Sequence, residues 1–221
     1  MQSQKVAQEK IRLFFEQSKP VVLPKNSILI QSFEDVPENI FYLKKGLVRM
    51  YCFSPEGEAL TLHIFTPGSF FPIVFSFSES PNSSFFESMT PITVYKAPRK
   101  DVMQFVQRQL DVLFYLTTTS FLALEGYTTR IRHMVFNNSY QRTAVLLVYL
   151  ADKFGEREGA SFLLPHVFTH ELIASWVGIT RVSVSKAIGQ LKKKGIVTYS
   201  NGKLQILDMG KINKEAAIFS Y

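Results

Sequence analysis

Between residues 168 and 195 the chain reads FTHELIASWVGITRVSVSKAIGQLKKKG. Arg181, Val182, Ser183, Ser185 and Lys186 lie close together in it, and their types suit one task. A guanidinium can bond two acceptors on a guanine edge at once. A lysine ammonium reaches guanine or phosphate, and a valine methyl can meet a thymine methyl. Serine hydroxyls bond phosphate or base edges. Arg181, Lys186, Lys192, Lys193 and Lys194 fall in fourteen residues without an acid. A lysine run also suits a plain helix end, where cations complement the dipole, so the run says little without its surroundings.

The surrounding pattern supplies elements that would position these groups. Thr169 can cap a short helix with Glu171 in its first turn. Val177-Gly178-Ile179 makes a turn, with Gly178 free to be left-handed and Ile179 pointing inward. Thr180 then caps a second helix ending at Gly195, with Val184, Ile188 and Leu191 on its buried face. Arg181, Val182, Ser185, Lys186 and Gly189 take the opposite face. This is a helix-turn-helix layout with basic and polar residues where base edges would be met. Beyond it, Ile196–Tyr199 and Lys203–Leu207 flank Ser200-Asn201-Gly202, a strong hairpin signal that reads as a wing. Thr169, His170, Lys203 and the Lys192–Lys194 end are expected at phosphates.

The charge distribution agrees. The 221 residues carry 25 Lys+Arg and 18 Asp+Glu, a net charge of +7. Residues 1–137 hold 14 basic and 12 acidic residues, a surplus of two; residues 138–221 hold 11 and 6, a surplus of five. With 46% hydrophobic residues the chain is not a disordered one. Cys52 is its only cysteine, which excludes a disulfide scaffold and any zinc or iron–sulfur centre held by several thiolates. No apolar run approaches the roughly 20 residues of a spanning helix, and the first residues lack a secretory apolar core. A soluble cytoplasmic protein is expected, with no membrane association.

An α+β organisation emerges along the chain. Residues 5–17 suggest an amphipathic helix with Val6, Ile11, Leu13, Phe14 and Phe15 in contact. Residues 20–98 suggest short strands at 28–30, 40–43, 47–51, 60–65 and 92–95, with a tight turn at Lys44-Lys45-Gly46 and another at Ser54–Glu58. Many short strands imply a sandwich, roll or barrel. Residues 99–109 can form a short helix and 111–137 a long one. On the long helix, Leu113, Thr117, Ser120, Leu124, Tyr127, Ile131 and Met134 follow a 3.5-residue repeat, a candidate coiled-coil seam. Asn137-Asn138-Ser139 supplies a break, a cap and a hinge. A helix over 140–154 follows, buried at Ala144, Leu147, Val148 and Ala151 and ended by Gly155. The expected domains are 1–110, a dimerisation helix over 111–137, and 138–221.

With these motifs in place, the chain resembles the cyclic-AMP receptor protein/FNR (Crp/Fnr) family of bacterial transcription factors. IFYLKKGLVRMYCFSPEGEALTLHIFTPGSFF (40–71) is similar to the family's cyclic-nucleotide-binding-like β-roll, or jelly roll. The helix 111–137 corresponds to its dimerisation helix, and 169–207 to its winged helix-turn-helix. The resemblance implies a homodimer bound to double-stranded DNA at a pseudo-palindromic operator, usually as an activator and in possible contact with RNA polymerase. Arg181 and Lys186 match the family's two basic recognition positions. Val182 stands in its Glu position and cannot accept a bond from cytosine, so the family's usual TGTGA-like half-site is not implied intact.

The sensor departs from the family's nucleotide-binding versions. Pro72 and Ile73 stand where a Gly-Glu pair meets the ribose, and no Arg occurs from 50 to 98 to neutralise a cyclic phosphate. The expectation is a regulator that does not respond to cAMP and carries no cofactor. Phe65, Phe70, Phe71, Phe75, Phe77, Phe85 and Phe86 crowd one stretch. They fill a β core or line an apolar effector pocket of Phe70, Phe71, Phe75, Tyr127 and Thr128. An effector-independent or apolar-ligand-gated repressor is the alternative. A cupin-like metal enzyme is the remote one: His63 stands alone, and His166 and His170 lack the Glu of an HExxH motif. No metal site and no catalytic residue are expected.

Overall fold

A computed structural model describes residues 2–32, 35–165 and 167–216. The chain divides into two compact units, one running to Glu125 and the other from Gly126.

The first unit opens with α1 (Gln2–Phe15) and continues through β1 (Val21–Leu23), β2 (Ile28–Ile30), β3 (Asn39–Lys45), β4 (Val48–Phe53), β5 (Ala59–Phe65) and β6 (Phe70–Phe71). After these come α2 (Ile73–Ser78), β7 (Phe85–Ser88), β8 (Ile92–Pro98), α3 (Arg99–Arg108) and the start of α4 (Leu110–Phe136). The strands form two antiparallel sheets, ordered β1-β8-β3-β6 and β2-β7-β4-β5. Successive strand side chains point to opposite faces, so one sheet serves two cores. Leu43, Phe71, Ile92 and Val94 join Ile30, Val48 and Phe86 of the second sheet. Ile40, Tyr42, Phe70, Tyr95 and Ala97 pack instead with Ala7, Ile11 and Phe15 of α1, Val102 and Val106 of α3, and Val112 and Leu116 of α4.

Several expectations change. The helix expected over 5–17 is α1, and it buries Ala7, Ile11 and Phe15 at intervals of four. Val6 and Leu13 lie off that stripe and are exposed. Lys44 and Lys45 still belong to β3, and the turn after them crosses between the sheets rather than closing a hairpin. Gly46 makes that corner at φ +90°; a Cβ there would lie 2.5 Å from the Pro91 carbonyl oxygen. Ser54–Glu58 does close a hairpin, with Ser54 N donating to the Glu58 carbonyl at 2.9 Å.

The second unit holds the end of α4, then α5 (Ser139–Phe154), β9 (Glu156–Glu158), β10 (Ser161–Leu163), α6 (His170–Val177), α7 (Arg181–Lys193), β11 (Val197–Ser200), β12 (Lys203–Ile206) and α8 (Met209–Ala216). Its sheet runs β11-β12-β10-β9. A reciprocal cap starts α5: Asn138 Oδ1 accepts from Gln141 N at 3.0 Å, and Gln141 Oε1 accepts from Asn138 N at 3.1 Å. Gly155 ends α5 at an ordinary φ of −72°. Its need for glycine is space, because a Cβ would lie 2.5 Å from the Ala151 carbonyl oxygen.

The division between units falls inside α4 rather than at Asn137. The reason is local. The Arg130 guanidinium donates to the Trp176 carbonyl, Asn137 is buried with its amide donating to the Ala216 carbonyl at 3.2 Å, and Arg142 Nε bonds the Asn137 carbonyl at 2.8 Å.

Along α4 only Val112 and Leu116 are buried. Leu110, Phe114, Phe121, Leu124, Ile131 and Val135 are 60–79% exposed, and with Thr117 and Thr128 they alternate steps of four and three. This stripe shares Thr117, Leu124 and Ile131 with the expected seam and is turned toward the next residue elsewhere. Of the expected seam, Leu113 is 36% exposed, Ser120 is exposed, and Tyr127 and Met134 are half-buried. Among the described residues, no helix is long and apolar enough to cross a membrane.

Candidate nucleic-acid interface

Two caps and one glycine aim the second unit's outer surface. Thr169 Oγ1 accepts from Leu172 N at 3.2 Å and starts α6. Gly178, at φ 71° and ψ 45°, ends it, with Gly178 N and Ile179 N both returning to the Ala174 carbonyl. Thr180 Oγ1 accepts from Ser183 N at 3.2 Å and starts α7. Each cap satisfies a backbone N–H that the helix itself leaves unpaired.

Val184, Ala187, Ile188 and Leu191 turn inward and hold α7 on α5 and α6. That fixes the helix rotation and leaves Arg181, Val182, Ser185 and Lys186 exposed at its N-terminal end. Among the described residues, neither Arg181 nor Lys186 has an acidic partner. Ser183 is half-buried, and its hydroxyl lies 3.0 Å from that of Thr180. This places Ser183 in the cap rather than on the outward face.

The hairpin β11–β12 pairs Ser200 with Lys203 and turns through Asn201 (φ 50°) and Gly202 (φ 74°). Both central residues are left-handed, as a two-residue type I′ turn requires. Lys203 stands at the tip, half-buried. At the other end of α7, Lys194 Nζ bonds Glu215 at 2.7 Å, and Tyr140 donates to the same carboxylate at 2.8 Å. Lys194 is therefore committed to α8, and of the expected basic end Lys192 and Lys193 carry the outward charge.

His170 and Tyr199 join the parts of this surface. The His170 ring lies 2.8 Å from Ser185 Oγ through Nδ1 and 2.5 Å from the Tyr199 hydroxyl through Nε2. Burial, and then the Arg181 cation, hold its imidazole below the ordinary value. Tyr199 was not expected here. Its signal in the sequence was an aromatic hydroxyl at an outward position of a wing strand, next to the Asn-Gly turn.

Within the first unit, the three phenylalanines expected at an effector pocket divide between the two faces of one sheet. Phe70 packs against Phe15 on the helix side of its sheet, while Phe71 lies between the sheets with Phe75 at the edge of that core. Tyr127 and Thr128 belong to the second unit. His63 packs edge-on against Phe65 with ring centroids 4.7 Å apart. Among the described residues, no three His, Cys, Asp or Glu side chains come together as metal ligands; His166 lies outside the described residues.

Comparison with known proteins places both units. A family profile described as cyclic nucleotide-binding domain matches residues 20–109, and one described as Crp-like helix-turn-helix domain matches residues 141–214. A CRP-like cAMP-activated global transcriptional regulator of Mycobacterium tuberculosis is 22% identical, over 91% of this chain and 89% of its own length. The transcriptional regulator SdrP of Thermus thermophilus is 29% identical, over 78% of this chain and 81% of its own. FixK2 from Bradyrhizobium japonicum superposes with a TM-score of 0.77 at 16% identity, covering 92% of this chain and 99% of that one. A transcriptional regulator of the CRP/FNR family from Thermus thermophilus superposes at 0.71 and 24% identity, covering 90% and 98%. The two superpositions bear on the fold; the profiles and relatives together cover both halves of the sequence. The chain belongs to the Crp/Fnr family of transcription regulators.

Proposed function

We propose that the protein acts in the cytoplasm as a homodimeric, sequence-specific DNA-binding regulator, with α7 in the major groove and the β11–β12 wing beside it. The observation that carries this reading is the exposed Arg181, Val182, Ser185 and Lys186 face, free of acids and fixed by the Thr180 cap. Arg181 and Lys186 read bases and Val182 supplies an apolar contact, while Thr169, His170 and Lys203 face phosphates. No residue is assigned a catalytic role. The exposed stripe from Leu110 to Val135 pairs two copies, so the operator is pseudo-palindromic with half-sites about one helical turn apart.

Selection of bound DNA fragments followed by fluorescence anisotropy tests this. Arg181→Ala is expected to cost about 1–3 kcal/mol at the selected site and to relax base preference at one position. Lys203→Ala should weaken all sequences alike. Wild-type affinity in Arg181→Ala would remove the assignment.

The sensor reading is that cAMP does not bind. Asn82 is buried and its polar atoms are already used; its amide donates to the Gln31 and Ser84 carbonyls, and its oxygen accepts from Ser84 N. The flanking arginines are engaged as well. Arg49 pairs with Glu87 at 2.6 Å, and Arg99 donates to the Ser76 carbonyl at 3.1 Å and pairs with Glu79. A cyclic phosphate would be desolvated without a counter-charge. Calorimetry with cAMP is expected to show no binding, and micromolar affinity would overturn this. Activation through contact with RNA polymerase is the sign of regulation we favour, by analogy with the family; repression, with or without an apolar effector, is the alternative that operator position decides.

A further inference from the structure

Three elements of the second unit meet at one imidazole. His170 opens α6, Ser185 lies on the second turn of α7, and Tyr199 lies on β11. The proton directions follow from the contacts. Ser185 Oγ donates its only proton to the Arg181 carbonyl at 3.0 Å. Its 2.8 Å contact with His170 must then use the proton on Nδ1. A neutral ring has one N–H, so Nε2 is left as an acceptor, and Tyr199 donates to it. This is the tautomer in which all three contacts are hydrogen bonds, with both hydroxyl protons turned into the protein.

We propose that His170 is a proton-linked positioning residue, which ties the recognition helix to the wing and takes up a proton when DNA binds. The inference rests on the DNA-binding reading above. In the free protein, burial and the Arg181 cation favour the neutral ring. The groups facing it are Arg181 and Ser185 on α7 and Tyr199 on β11. Lys192 Nζ lies 5.9 Å from the Tyr199 ring centroid, and Glu171 follows His170 on its own helix. A DNA phosphate arriving here reverses the electrostatic preference. The proton comes from the buffer acid and adds to the Nε2 lone pair. Nε2–H then donates to the Tyr199 oxygen, which frees the tyrosine O–H to turn outward toward a phosphate oxygen. Ser185 keeps its bond to Nδ1–H throughout, so its hydroxyl acts in holding α7 rather than as a base-reading donor.

The sign of the linkage follows. DNA raises the imidazole's affinity for a proton, so protonation equally raises the affinity for DNA. The gain is full below the free-state value and is lost as pH rises through the bound-state value. Wild type is expected to bind its selected duplex about three- to tenfold more tightly at pH 5.5 than at pH 8, tenfold corresponding to one unit of change on binding. Calorimetry at pH 7 in two buffers of different ionisation enthalpy should report uptake of part of a proton. His170→Gln keeps a donor and an acceptor but cannot titrate, and it should lose this pH dependence and this uptake. NMR of the wild-type imidazole gives a reading that needs no variant: the Nδ1–H tautomer in the free protein, and titration at higher pH with duplex bound. Unchanged titration on binding, or the same pH profile in His170→Gln, overturns the proposal while DNA binding stands. Failure of wild type to prefer any duplex at any pH overturns the DNA-binding reading itself.

Discussion

Phe121→Asp combined with Leu124→Asp is expected to turn the protein into a monomer and to lower operator affinity by about 10²–10⁴-fold, the avidity lost when two linked sites bind separately. The two residues sit near the middle of the exposed stripe of α4, a helix of 27 residues that is about 40 Å long. Within the first unit Leu110, Phe114, Phe121 and Leu124 leave large apolar side chains exposed along one face of the helix, the kind of surface that marks an interaction site. Its alternating steps of four and three suit a second identical helix. Two aspartates per copy would face their symmetry mates across a two-fold axis, so four like charges would lose water together. The protein should still fold, because Phe121 and Leu124 are exposed and belong to neither core of the first unit. Sedimentation and fluorescence anisotropy measure the two effects. A dimer that survives both substitutions would put the interface elsewhere. Leu113→Asp is expected to act more weakly, since that side chain lies at the margin of the stripe.

The same helix shows what the sequence could and could not specify. Its repeat fits two phases one residue apart, through Leu113 and Met134 or through Phe114 and Val135. Periodicity cannot choose between them, because burial of Val112 and Leu116 in the cluster shared with α1, α3 and the sheet sets the rotation, and most of that cluster is distant in sequence. The helix-turn-helix was legible because its signals are local. Thr169, Gly178 and Thr180 act within four residues, and Asn201-Gly202 declares its own turn. The β-roll was legible only in part. Ile28 pairs with Glu87 and Val21 with Val94, so β1 and β7 have no nearby partner to reveal them, and the two-residue β6 has no pattern of its own. The site itself was read one residue at a time. That His170 bonds Tyr199, 29 positions later, and that Lys194 is taken by Glu215, 21 positions later, are facts of tertiary packing that spacing does not contain.

Packing favours a core role for Phe71 in the phenylalanine cluster, and Phe71→Ala tests it. Phe71 is fully buried between the sheets, with ring centroids 4.7 Å from Phe65, 5.4 Å from Phe86 and 6.0 Å from Phe41. Removing it takes away its own burial and leaves three rings facing a void that they cannot all close. The expected cost is about 3–5 kcal/mol, which for a chain of this size is a fall in melting temperature of roughly 6–20 °C. Phe75 is only partly buried at the margin of the same core, so Phe75→Ala should cost less. An effector cavity predicts the opposite ranking of consequences. A ring lining an open pocket would leave a wider pocket when truncated, at little cost in stability and with a change in ligand response. Thermal unfolding followed by circular dichroism separates the two. A shift of only a degree or two for Phe71→Ala would mean that the ring faces a cavity. A large shift means that any effector must find a site other than the one Phe71 fills.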